Sequence, residues 1–158
     1  MKVIILSAGQ GRRLLPLTRN IPKCALPVRG RPILEWQLNE IAKCDVSEVV
    51  VATGYAAEHV DKIVRQKHGV PVRTLHNTYY DQYDNLGTCW VAGSEMDGPF
   101  VLLNGDTLFE ANVLRRLLAS ISDMPITMAI DSKHNYDEDD MKVAVLGRRL
   151  VWVGKDLN

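Results

Sequence analysis

The sequence predicts an α/β fold, doubly wound around a mainly parallel or mixed sheet with helices on both faces. Three observations predict it. Short β-branched and aliphatic runs bounded by turn formers alternate with segments whose apolar residues recur at helical spacing. The first such run, Val3-Ile4-Ile5-Leu6, is apolar throughout, as a strand covered on both faces must be. The strand-like and helix-like segments also come in turn, the order that crossover helices between parallel strands require.

Taken in order, residues 2–6 read as the first buried strand, stopped at Ser7-Ala8-Gly9. Ile33, Leu34, Trp36, Gln37, Leu38 and Ile41 repeat at three and four, predicting a helix. Residues 48–53 form the next strand, and Ala57, Val60, Ile63 and Val64 the next helix. A strand over 70–75 precedes a helix from Asn85 to Ala92, and a strand over 100–103 precedes a helix carrying Val113, Leu114, Leu117 and Leu118. The rhythm then changes. Residues 126–130 read as a strand, and 141–146 and 150–153 as a hairpin attached to the sheet, turned at Gly147-Arg148-Arg149. The acidic stretch from Asp137 to Asp140 reads as a solvated loop. Trp36, Trp90 and Trp152 are expected in the core or at an interface rather than stacked on a ligand.

The chain has 158 residues, enough for one domain with a real core, taken here as residues 1–158. Nineteen basic and nineteen acidic side chains cancel, so no overall field draws it to nucleic acid or lipid headgroups. Any anion site must come from a local cluster. The apolar start is too short for a membrane span and has no small-residue cleavage site. Three cysteines, Cys24, Cys44 and Cys89, lack CxxC spacing, and four histidines lack metal-ligand spacing; both fit a reducing cytoplasm without a zinc site.

The local cluster lies at the beginning, in MKVIILSAGQGRRLLPLTRNIPKCALPV. A strand feeding a glycine-rich turn offers free backbone N–H groups that can cradle phosphate. The dinucleotide fingerprint needs a third glycine where Leu14 stands, and the P-loop needs a GK[ST] triplet that is absent. What remains is a loop with Gly9 and Gly11, then Arg12, Arg13 and Lys23. Fixed cations beside an amide loop suit a triphosphate and a departing pyrophosphate, and the arginine fork can hold two phosphate oxygens. The alternative is a plain tight turn with solvated arginines.

The stretch LSAGQGRRLLPLTRNIPKCALPVRGRPILEW resembles the signature of the sugar-phosphate and alcohol-phosphate nucleotidyltransferases. Leu6, Ala8, Gly9, Gly11, Arg13, Leu14, Pro16, Leu17, Thr18, Pro22, Lys23, Pro27, Val28, Pro32 and Ile33 match that pattern, whereas Arg12 and Ala25 depart from it. Leu102-Leu103-Asn104-Gly105-Asp106 resembles the family's strand-end motif. The middle segment, with Asn77, Tyr80, Asn85 and Ala92, is similar to the phosphocholine-type cytidylyltransferase branch, although Asp84, Thr88 and Cys89 deviate.

The resemblance implies the Rossmann-like nucleotide-diphospho-sugar transferase fold, cut short at the C-terminus. It implies transfer of a nucleoside monophosphate, with CTP favoured, to a small phosphorylated acceptor such as phosphocholine, an alditol phosphate or a sugar 1-phosphate. Arg13 and the Gly9 and Gly11 amides would hold the β- and γ-phosphates, and Lys23 the α-phosphate and leaving oxygen. Leu6, Ala8, Arg12 and Gly105 would complete the nucleotide site. Asp106 would anchor Mg²⁺, or merely open a helix-entry turn. Asn85 would meet the base edge, or merely cap a helix. Lys155 would meet the acceptor phosphate, or be a surface lysine. Asp131 and Asp156 do not match the family's later metal-binding aspartate. The short chain thus reads as a fragment, as a form completed by homodimerisation, or as a nucleotide-binding module without turnover.

Overall fold

The computed structural model describes residues 1–120 and 124–157, which divide into two compact units, Met1–Thr127 and Met128–Asn158. The first unit runs β1 (Lys2–Ser7), β2 (Pro27–Val28), β3 (Arg31–Pro32), α1 (Ile33–Ile41), β4 (Glu48–Thr53), α2 (Ala57–Val64), β5 (Val72–His76), α3 (Asn85–Val91), β6 (Phe100–Asn104) and α4 (Ala111–Ala119). The second holds β7 (Lys142–Leu146) and β8 (Arg149–Gly154).

Four strands form one parallel sheet in the order β5-β4-β1-β6. The chain winds outward from β1 through β4 to β5, then crosses back past β1 to add β6 on its other side. Winding reverses between β1 and β6, so the crossover connections diverge there and leave a crevice beyond the C-terminal strand ends.

Pleating sorts the central strands between two cores. Val3 and Ile5 of β1, with Val49 and Val51 of β4, pack against Leu34, Leu38 and Ile41 of α1, Val60 and Ile63 of α2, and Leu114 of α4. Ile4, Leu6 and Ala52 face the other way, against Ala92 just after α3 and the half-buried Leu75, Cys89 and Met96. Helices therefore cover both faces, as the continuous apolar runs require. At positions 2–6 and 48–53 the expected strands agree with the structure to within a residue.

Three expectations are corrected. The strand expected from Val70 begins at Val72, because Pro71 has no N–H to give the ladder and only its carbonyl is used, accepting from Val49 N at 2.9 Å. Residues 126–130 are in no strand; their alternating pattern suits a sheet, but no described strand pairs with them, and Ile126, Met128 and Ile130 are exposed. The hairpin β7–β8 is a two-stranded antiparallel sheet of its own, irregular at Ala144/Val145, and does not extend the parallel sheet. Trp90 and Trp152 are exposed, so neither is a core residue, and Trp36 is half-buried with Nε1 donating to Val28 O at 2.9 Å. No helix among the described residues is long and apolar enough to cross a membrane.

The end of the sheet opposite the crevice is closed by charge. Arg73 Nε donates to Glu48 Oε1 at 2.8 Å, and the same guanidinium pairs with Glu95, which also accepts from Lys2 Nζ at 3.2 Å. The Arg73 hydrogen bond, helped by Lys2, holds the Glu95 carboxyl below its ordinary 4.5. A lowered folded-state pKa adds stability that is present above the ordinary value and lost as pH falls through the folded one. The urea midpoint is therefore expected to fall on acidification below pH 4.5. Arg73→Met should lower the neutral-pH midpoint and flatten that acid dependence; an acid profile parallel to wild type would show that the network contributes nothing.

Candidate active site

At the C-terminal end of β1 the chain leaves the sheet through Ala8-Gly9-Gln10-Gly11. Gly11 has φ +75, a left-handed backbone, and a Cβ there would lie 2.9 Å from Lys23 Cβ. Glycine is thus required twice, for conformation and for the close passage of Lys23. The loop is folded back on itself: buried Thr18 donates from Oγ1 to Gly11 O at 3.0 Å, and Gln10 Nε2 donates to Thr18 O at 3.3 Å. Arg12 and Arg13 lie exposed on the short 3₁₀ turn Arg12–Leu14 that follows. Ala8 is buried and accepts from Tyr55 N at 2.9 Å, and Leu6 is buried in the sheet. A Cβ on Gly9 would meet nothing within 4 Å, so the backbone at this position is bare and faces open space.

Across the switch point, β6 ends at Asn104 and turns through Gly105-Asp106. Gly105 N donates to Leu6 O at 2.8 Å, drawing this turn tight against β1. A Cβ on Gly105 would sit 2.1 Å from Ser7 Oγ and 2.8 Å from Leu6 O. Only glycine lets the two strand ends come this close. The turn then presents Asp106 to Lys23, and the two form an ion pair, each about a third exposed (33% and 38%). The cation expected for phosphate and the carboxylate expected for metal are thus direct neighbours. Asp106 is not merely opening a helix, since α4 starts at Ala111, whose N–H is capped by Glu40 Oε2 at 2.8 Å.

The third wall is the segment after β5. Asn77, fully buried, receives Tyr79 N on Oδ1 at 2.9 Å and donates to Thr88 Oγ1 at 3.1 Å, tying the segment to α3. An open pocket of about 330 Å³ is lined by Gly9, Tyr80, Tyr83, Asp84, Asn85 and Thr88. Asp84, not Asn85, caps α3, its Oδ1 accepting Leu86 N at 2.9 Å. That frees Asn85 from the capping role the sequence left open; its Nδ2 lies 3.4 Å from Asn104 Oδ1.

Lys23 with Asp106, Gly11 with Lys23, Leu6 with Gly105, and Gly9 with Asn85 are thus brought together in the first unit. Lys155 belongs to the second unit, follows β8, and pairs with Asp139 at 3.0 Å. Cys24, next to Lys23, is buried, and burial pushes its thiol up to about 11, so it supplies no nucleophile. Among the described residues no group of three or more His, Cys, Asp or Glu could hold a metal. Tyr83 and Gln37 were outside the sites expected from sequence. Gln37 had a legible signal, one amide inside the apolar stripe of α1; Tyr83 had none, because its place depends on how the segment after Asn77 folds.

Residues 3–150 match the family model described as the MobA-like NTP transferase domain. A choline-phosphate cytidylyltransferase of Streptococcus pneumoniae is 32% identical over 110 residues, which are 70% of this chain and 47% of that protein. The UTP–glucose-1-phosphate uridylyltransferase AglF of Haloferax volcanii is 33% identical over 116 residues, 72% of this chain and 46% of that one. The solved inositol-1-phosphate CTP transferase from T. maritima superposes with a TM-score of 0.81 at 21% identity, covering 99% of this chain and 64% of that one, a likeness of fold. The chain spans about half the length of the two curated relatives.

The glycines make a paired prediction. Gly105→Ala should lower stability by about 1–3 kcal/mol, since the methyl overpacks the β1–β6 contact. Gly9→Ala should leave stability within about 0.5 kcal/mol of wild type, since it enters open space. Thermal melts of both variants check this, and equal melting points would refute the close approach at Gly105.

Proposed function

Because the chain belongs to the MobA-like NTP transferase domain family, we propose that its crevice joins the nucleoside monophosphate of an NTP to a small phosphorylated acceptor and releases pyrophosphate. CTP is the favoured nucleotide, and phosphocholine, or a related alcohol phosphate, the favoured acceptor. One observation carries the reading: the Lys23–Asp106 pair sits where winding reverses, beside the bare amide loop at Gly9.

In this reading an acceptor phosphate oxygen attacks the α-phosphorus in line, and the bond from the α-phosphorus to its bridging oxygen breaks. The electron pair leaves with pyrophosphate. A phosphomonoester is already anionic at neutral pH, so no general base is required. The protein's part is positioning and charge neutralisation. Gly9 and Gly11 amides and the Arg13 fork take the β- and γ-phosphates, with Arg12 beside them. Lys23 exchanges Asp106 for the α-phosphate and the departing oxygen. Leu6, Ala8 and Gly105 shape the floor, and Asn85 reads the base edge over the pocket. Lys155 enters this reading for the acceptor phosphate from the sequence resemblance alone.

The family's divalent metal fits the donor set in one specific way. Asp106 offers a single partly exposed carboxylate, and Mg²⁺ is commonly held by one or two carboxylates together with substrate phosphates and water. Asp106 would hold it, and the metal would supply neutralisation of charge developing on the phosphates.

Pyrophosphate release measured with CTP, Mg²⁺ and phosphocholine tests the reading. Lys23→Ala should lower turnover by roughly 10²-fold, the scale of one lost transition-state donor. Melting should barely shift, because a partly exposed pair contributes only about 0–1 kcal/mol. Nucleotide binding without release with any phosphomonoester would reduce the site to a binding module. Undiminished turnover in Lys23→Ala would remove Lys23 from the chemistry.

A further inference from the structure

The buried face of α1 is Ile33, Leu34, Gln37, Leu38 and Ile41. Four of these are aliphatic, and the fifth is an amide only 1% exposed. Gln37 Nε2 donates to Asn104 O at 2.8 Å and to Thr107 O at 2.7 Å. Those carbonyls belong to the first and last residues of the four-residue turn that carries Gly105 and Asp106. Thr107 N closes the same turn onto Asn104 O at 3.3 Å.

The amide can sit only one way round, because turning it over would aim an oxygen at two carbonyls. Its Oε1 is buried without a partner among the described residues. Burying an unpaired oxygen costs stability, and an aliphatic side chain would fill a helix stripe without that cost. The fold thus keeps an amide at a price, and what the amide does there is clamp both ends of the Asp106 turn.

We infer that Gln37 is a positioning residue for Asp106: it sets the height and direction of the carboxylate above the crevice without touching any ligand. This rests on the nucleotidyl-transfer reading and deepens it. Gly105 N to Leu6 O ties the turn sideways to β1, and Gln37 ties it from below to α1. With both ties the carboxylate is held ready for a cation before nucleotide arrives; with only the strand tie, the turn is free to pivot about Gly105. A group that orients a metal ligand commonly governs metal affinity about tenfold or more when removed.

The test uses Gln37→Met, which keeps length and apolar volume and removes both donors, beside Leu38→Ala, which weakens the same helix without touching the turn. Binding of Mn²⁺–CTP is followed by water-proton relaxation, and CTP binding with chelator is measured separately. Gln37→Met is expected to weaken Mn²⁺–CTP about tenfold while leaving metal-free CTP unchanged; Leu38→Ala should leave both unchanged despite its lower melting point. Hydrogen exchange at the Gly105 and Thr107 amides, without nucleotide or metal, should quicken in Gln37→Met alone. In wild type the Gln37 side-chain NH₂ protons should exchange slowly, a measurement that stands even if the variant does not fold. Free-amide exchange of those protons, or Mn²⁺–CTP affinity in Gln37→Met equal to wild type, overturns the inference. If wild type itself binds CTP no better with Mn²⁺ than without, the metal role of Asp106 fails and the positioning role with it, while the exchange data still report the clamp.

Discussion

The contact between the ends of β1 and β6 governs the geometry of the crevice. Gly105 donates to Leu6 O at 2.8 Å, in a space that a single methyl group would fill. Because the two strands are parallel neighbours on opposite sides of a winding reversal, their exits diverge after this contact. One exit becomes the bare loop at Gly9, the other the turn at Asp106. A looser contact would let the two exits drift independently, and the spacing between amide loop and carboxylate would have no fixed value.

Charge follows from that geometry. The chain has no net charge to attract a polyanion, so in the proposed reading positive potential is gathered locally by Arg12, Arg13, Lys23 and the loop amides. Lys23 reaches Asp106 because Gly11 has no side chain to keep it away. Each of the two ions thereby has a counter-ion, which spares the cost of a lone charge. Partial exposure keeps the pair weak, about 0–1 kcal/mol, as the proposed exchange of Asp106 for a phosphate requires. By contrast, the Arg73–Glu95–Lys2 network at the opposite end of the sheet lies away from the crevice and holds strand ends together.

The parallel sheet is legible in the sequence because fully buried strands must be apolar on both faces, as Val3 to Leu6 and Val49 to Ala52 are, and few other structures tolerate such runs. The loop motif is legible too, since Gly9, Gly11, Arg13 and Lys23 are close in sequence. Residues 126–130 mislead because alternation records what a strand could bury, not whether a neighbour is there to pair. The hairpin at 141–153 is legible as a hairpin, because its two strands pair with each other; only its attachment to the parallel sheet is not borne out. At α3 the cap belongs to Asp84 rather than Asn85, a one-residue distinction that only backbone geometry makes. Gln37 is visible as one amide inside an apolar helix stripe, but its partner is not, because the contact with Asn104 lies 67 residues away in sequence.

In the proposed reading the Gly9–Gly11 loop, Lys23 and the Asp106 turn form one receptor for a polyphosphate. Backbone amide chemical shifts followed during titration of the intact chain with CTP and Mg²⁺ test it most directly. The largest changes are expected on Gly9, Gly11, Lys23, Gly105 and Asp106 together, with smaller ones at Asn85 and Thr88. Changes concentrated instead around the separate pocket between Val64 and Val72, with the Gly9 loop and the Asp106 turn unmoved, would contradict it.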